Sequence, residues 1–268
     1  MQTTIKSTLP SLTFLLIGLL FFFLLSIVNL PMVVSKFVFS IIAIVSLYYL
    51  SMAFLRFEKI SLTVVNLLPN KGTLKRLSIG LFIGAILVGS MLIALFTLTD
   101  LEIERNEAQT WLPFIFASTV FITLALMEEI LFRGYPFFRL TQSINIRWVL
   151  LITAILFALY HYNGSQNIGF LLLGPGIWGV TFGVAAYLSK SIAVPLGIHI
   201  SANVLQAIFG LKTDYNPMWT VTKNIDSSTI NMNPEYLGYI MQIILLIISI
   251  IILEVALRVK KNSRKKQQ

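Results

Sequence analysis

Eight stretches of this 268-residue chain are apolar over the length of a membrane span or close to it. They lie near residues 11–30, 37–55, 77–99, 111–132, 148–162, 168–189, 192–209 and 237–257. A helix needs about 20 apolar residues to cross the hydrocarbon layer. The pattern therefore predicts an all-α, polytopic transmembrane helical bundle of about eight spans. The fifth stretch is short and the sixth is interrupted by Gly174-Pro175-Gly176, so one of these two is expected to be tilted or broken. Composition closes off the alternatives. Only 12% of the residues are charged and the mean hydropathy is +0.85, whereas soluble domains carry about 25% charge. A chain this poor in charge cannot cover a water-facing surface, and it is too apolar for disorder. There is no cysteine, which removes disulfides, thiol nucleophiles and Cys-type zinc sites. The first stretch is too long for the apolar part of a signal peptide and reads as a retained anchor helix.

Basic residues orient such a bundle, because Lys and Arg favour the cytoplasmic loops. With eight spans and both termini cytoplasmic, the inner segments hold sixteen of the twenty basic residues. Arg105, Lys212 and Lys223 fall in outer loops, and Lys36 at a boundary. The loop at 100–110 carries Asp100, Glu102, Glu104 and Glu107. Three regions follow: residues 1–110 with three N-terminal spans and an inner-surface loop, residues 111–210 as the candidate core, and residues 211–268 with an outer loop, the last span and a basic cytoplasmic tail. Segment 56–76 is expected to form a short amphipathic helix on the inner surface. The tail reads as an anchor on anionic lipid, so the expected partners are the lipid bilayer and no nucleic acid. The expected location is the cell membrane, as a multi-pass protein.

Ionisable groups at membrane depth are costly and usually functional. Nine of the eleven acidic residues fall in loops or near span edges; the other two, Glu128 and Glu129, end the apolar run WLPFIFASTVFITLALMEE. The only two histidines, His161 and His199, each sit in an apolar stretch. Residues four apart share a helix face. Glu129 can thus pair with Arg133, which alone reads as a structural ion pair. Glu128 points about 100° away and has no local cation. A carboxylate so placed in low dielectric suits a general base or acid working near neutral pH. His199 and Asn203 share a face, and Phe157 and His161 repeat the spacing, with the ring as a wall. One base candidate, two imidazoles and an amide donor are the groups needed to activate a water and hold an oxyanion. Each imidazole or amide taken singly also reads as interhelical hydrogen bonding.

Other chemistries lack their residues. HExxH is absent, no Gly-x-Ser-Gly segment supports a serine protease, and no aspartate lies within a span. Asn163-Gly164-Ser165 matches a glycosylation sequon, a weak three-residue signal. The Gly174-Pro175-Gly176 break reads either as a kink needed for packing or as an opening in a cavity wall.

Glu128-Glu129-Ile-Leu-Phe-Arg133 resembles the EExxxR motif of the CPBP family of CAAX-processing and bacteriocin-processing membrane proteases, also called the Abi family. Phe157-Ala-Leu-Tyr-His161 is similar to its FxxxH motif, and His199-Ile-Ser-Ala-Asn203 to its HxxxN motif. The resemblance covers roughly residues 111–210. It implies an intramembrane glutamic endopeptidase acting on membrane-associated protein or peptide substrates. Glu128 and His161 would then activate water, His199 and Asn203 would hold the oxyanion, and Glu129 and Arg133 would order the site. No cofactor is expected. The alternative is a zinc ion on Glu128, His161 and His199. Because residues 128–139 lie near the inner face in this topology, cleavage is expected in the cytoplasm or the inner leaflet. Two other functions compete: a proton-coupled transporter, and a non-proteolytic scaffold or bacteriocin-immunity protein.

Overall fold

The computed structural model describes residues 2–26, 32–61, 69–162, 164, 166–212, 216–223 and 232–265. Segment 62–68, within the expected surface helix, and the sequon positions 163 and 165 lie outside the described residues.

The apolar runs form helices α1 (Gln2–Ser26), α2 (Met32–Phe57), α3 (Thr73–Leu98) and α4 (Trp111–Arg133). After these come α5 (Tyr135–Ser143), α6 (Ile146–Tyr160) and α7 (Ile168–Leu171). A π-helical turn, Leu172–Gly176, joins α7 to α8 (Ile177–Ser189), and α9 (Ala193–Ile208) and α10 (Pro234–Lys265) complete the bundle. Among the described residues, five segments are long and apolar enough to cross a membrane: Lys36–Phe57, Thr73–Leu98, Trp111–Ser143, Ile168–Ser189 and Pro234–Ser263. Thr8–Leu24, Ile146–Tyr160 and Ala193–Ile208 are shorter apolar helices. Isoleucines on one face of α10, Ile243, Ile247 and Ile250 among them, are exposed. In a membrane that face meets acyl chains, where exposed apolar surface costs nothing.

Two features depart from the sequence expectation. The fourth stretch does not stop at residue 132. The chain bends at Gly134 (φ −79°, ψ −130°) and continues as α5, with Pro136 in its first turn, where a missing N–H is harmless. In addition, the outer loops are not shapeless. Residues Leu101–Arg105 (β1) pair antiparallel with Trp219–Lys223 (β2), Leu101 facing Lys223 and Arg105 facing Trp219. Arg105 ties the two loops together by donating to the carbonyls of Met218 (2.5 Å) and Gln109 (3.0 Å). Asp100 accepts from Lys223 at 3.0 Å. Local hydropathy carries no sign of a pairing between segments more than a hundred residues apart.

The core around which the helices close is aromatic. Phe14, Phe132, Tyr135, Phe137, Phe157 and Phe182 are among the largest fully buried side chains. Within it, α3 packs closely on α9. A Cβ at Gly80 would strike the carbonyl of Val194, and one at Gly84 would come within 2.8 Å of the Ile198 backbone. Ser201 adds a hydrogen bond to the Leu81 carbonyl, 2.8 Å. Without a hydrophobic drive between helices in lipid, small residues that let backbones touch are what hold such a pair. This contact fixes α9, and with it His199 and Asn203.

Candidate active site

Arg133 ends α4 and is wholly buried. Its Nη1 stands 3.4 Å from Glu129 Oε1, and its Nη2 donates to the Gly179 carbonyl on α8 at 3.0 Å. The guanidinium lies over the Phe157 ring at 4.3 Å and the Phe182 ring at 5.3 Å. Guanidinium stacks well on aromatic faces because it is planar and weakly hydrated. Gly179 is needed here, since a Cβ would sit 3.4 Å from Nη2 and 3.1 Å from the Ala154 Cα.

Glu129 does more than pair with Arg133. Its Oε1 lies 3.0 Å from His199 Nδ1, closer than to the guanidinium. That carboxylate bridges α4 to α9. The His199 ring is stacked on Phe182, with centroids 4.5 Å apart and planes at 20°. Held on both sides, the ring turns Nε2 toward Glu128 Oε2, at 3.6 Å.

His161 caps α6. Its Nδ1 is 2.8 Å from the Phe157 carbonyl oxygen. A carbonyl only accepts, so Nδ1 carries the hydrogen and Nε2 of the neutral ring bears the lone pair. That Nε2 stands 4.0 Å from Glu128 Oε2. Glu128 thus faces both imidazoles, and its Oε2 has no hydrogen-bond partner among the described residues. Four groups from α4, α6 and α9 meet at one place, with Phe157 as the aromatic wall beside His161, centroids 4.6 Å apart.

Above them is a cavity of about 620 Å³. His161, His199, Asn203 and Phe157 line it; Glu128 lies just behind the two rings. Gly174 and Pro175 also line it, so the broken stretch forms part of a cavity wall. The cavity extends past Gln166 and Gln206 to Leu211, Lys212 and Glu235. These last residues belong to the end of the bundle where α6 and α9 finish and α10 begins. Residues 128–139, expected near the inner face, do not line this cavity. Glu128 is not near a surface there, because α5 carries the chain nine residues further past the bend.

Residues 109–205 match the family model described as type II CAAX prenyl endopeptidase Rce1-like. These residues are similar to an Rce1-like core. The matched stretch contains every residue of the cluster, and it marks the chain as a membrane enzyme of the CAAX-protease kind. No curated protein and no solved structure matches the chain. Sequence reasoning missed Gly179 and Phe182, which support Arg133 and His199 within this Rce1-like segment. Neither stands out in an apolar helix, where glycine and phenylalanine are ordinary.

Two donors on one tetrahedral zinc at about 2.1 Å stand about 3.4 Å apart. The His161–Glu128 separation of 4.0 Å exceeds that, and the described residues hold no three-donor metal cluster. The side chains as placed do not fit the ion, and no step below passes through it.

Proposed function

We propose that the chain is an intramembrane glutamic endopeptidase. The observation that carries this reading is the Glu128 carboxylate. It is buried, has an unpartnered oxygen, and is turned toward Nε2 of the two histidines that line a cavity. A buried carboxylate without a compensating charge is expensive, and catalysis is a reason to maintain it.

A water on the cavity floor reaches Glu128 and the lone pair of His161 Nε2. Its oxygen adds to the scissile carbonyl carbon while Glu128 takes its proton, with His161 orienting the water. The carbonyl electron pair moves to oxygen. Asn203 donates a hydrogen bond to that oxyanion, and the His199 ring, held by Glu129 at 3.0 Å, faces it. The carbonyl then re-forms, the C–N bond breaks, and Glu128 returns the proton to the leaving amine. Arg133, fixed by Gly179 and the Phe157 and Phe182 rings, holds Glu129 in place and so keeps the His199 ring aimed.

The test compares membrane peptides from cells carrying the native chain with those from cells carrying Glu128→Gln. Products present only with the native chain, at equal expression and melting temperature, support the peptidase. A Glu128→Gln chain with the full cellular phenotype overturns it in favour of a scaffold. Chelation leaves activity intact under this mechanism; loss on chelation with recovery by stoichiometric zinc would overturn it.

A further inference from the structure

We propose that the cavity opens on the membrane face away from the cytoplasm, and that its substrate is a peptide segment exposed on that face. The inference deepens the peptidase reading and rests on it for the word substrate. Its sidedness rests on how charge is distributed between the two ends of the bundle.

At the closed end lie Arg139, Arg147, Lys190, Arg258, Lys260 and Lys261. Two clefts there, of about 580 and 480 Å³, carry Lys190 and Lys260, and Arg147 and Lys261. Basic clefts between helices suit anionic head groups of the cytoplasmic leaflet. The end with the cavity mouth has four basic residues, Lys36, Arg105, Lys212 and Lys223. Asp100 ion-pairs with Lys223, and Glu102, Glu104 and Glu107 share that end. An asymmetry this large sets orientation, so the mouth faces outward.

The cavity suits a bare peptide. Gln166 Oε1 and Gln242 Oε1 are buried acceptors on its wall with no partner among the described residues. Buried acceptors are rarely left unpaired, and an extended peptide supplies backbone N–H donors at regular spacing. Lys212 and Glu235 at the mouth offer both signs of charge. A tail modified by lipid in the cytoplasm would meet the closed end.

The chain contains no cysteine, so single-cysteine variants report sidedness cleanly. Leu211→Cys at the mouth, Gln166→Cys inside the cavity and Ser263→Cys at the closed end are expressed separately. Spheroplasts of the expression host are then treated with a membrane-impermeant maleimide. Leu211→Cys and Gln166→Cys are expected to label fully in intact spheroplasts, and Ser263→Cys only after lysis. Labelling of Ser263→Cys before lysis, or of Leu211→Cys only after it, overturns the proposal. Labelling requires no turnover. The same pattern in a Glu128→Gln background that lacks activity keeps the sidedness independent of the enzymatic reading. Loss of peptidase activity in the native chain, with the pattern intact, refutes that reading alone.

Discussion

Removing the guanidinium of Arg133 strands Glu129 in the core. Both side chains are fully buried, and truncating one partner of a buried pair costs about 3–5 kcal/mol. The Arg133→Met side chain keeps most of the volume but loses the donor to Gly179 and the stacking on Phe157. His199 Nδ1 remains 3.0 Å from Glu129 and offsets part of the loss, which points to the lower end, about 3 kcal/mol. At roughly 2–4 °C per kcal/mol for a chain of this size, the melting temperature in detergent should fall by roughly 6–12 °C. The double variant Glu129→Leu/Arg133→Met removes both charges, and such replacements are often neutral. It should therefore melt within about 1 kcal/mol of the native chain while remaining inactive. Thermal melting of the native chain, Arg133→Met, Glu129→Leu and the double variant, with peptidase activity as a second readout, completes a double-mutant cycle. Additive losses, or a single variant that melts with the native chain, would refute the role given to the pair.

Gly84→Leu forces α3 away from α9, since even one added carbon meets the Ile198 backbone; it should lower melting and activity together, read by thermal scan and turnover on one preparation. Asn203→Ala leaves the fold alone, because the side chain lines a cavity. It should cut kcat by about 10²–10³-fold, the usual worth of one oxyanion donor, with unchanged melting. A loss confined to KM would remove Asn203 from the transition state.

The site was more legible in the sequence than its surroundings. Glu128, His161 and His199 are visible because burying them in apolar runs is costly, and i,i+4 spacing sorts Glu129 with Arg133. The spacing does not reveal that Glu129 sits closer to His199, seventy residues away, than to its helical neighbour. That contact depends on how α9 is pressed against α3 by Gly80 and Gly84. The bend at Gly134 has a local cause in Gly134 and Pro136, yet hydropathy runs smoothly through it. The position of the cavity mouth is illegible for the same reason: without α5, Glu128 seems close to the basic end. The β1–β2 pairing has no local signature, since its register depends on where α3, α4 and α9 end.

The shortness of α6 sets a depth. Fifteen residues rise about 22 Å, starting at the interface where Arg147 meets Glu254 at 2.7 Å. With α6 upright, a hydrocarbon layer about 30 Å thick would leave His161 about 8 Å beneath the opposite surface. Two or three extended residues cover that distance. A chain with a free end or a slack loop can be lowered to the imidazole, whereas an intact helix must first unwind. Selection at this enzyme would then act less on side-chain identity than on how much unfolded chain a neighbour can spare.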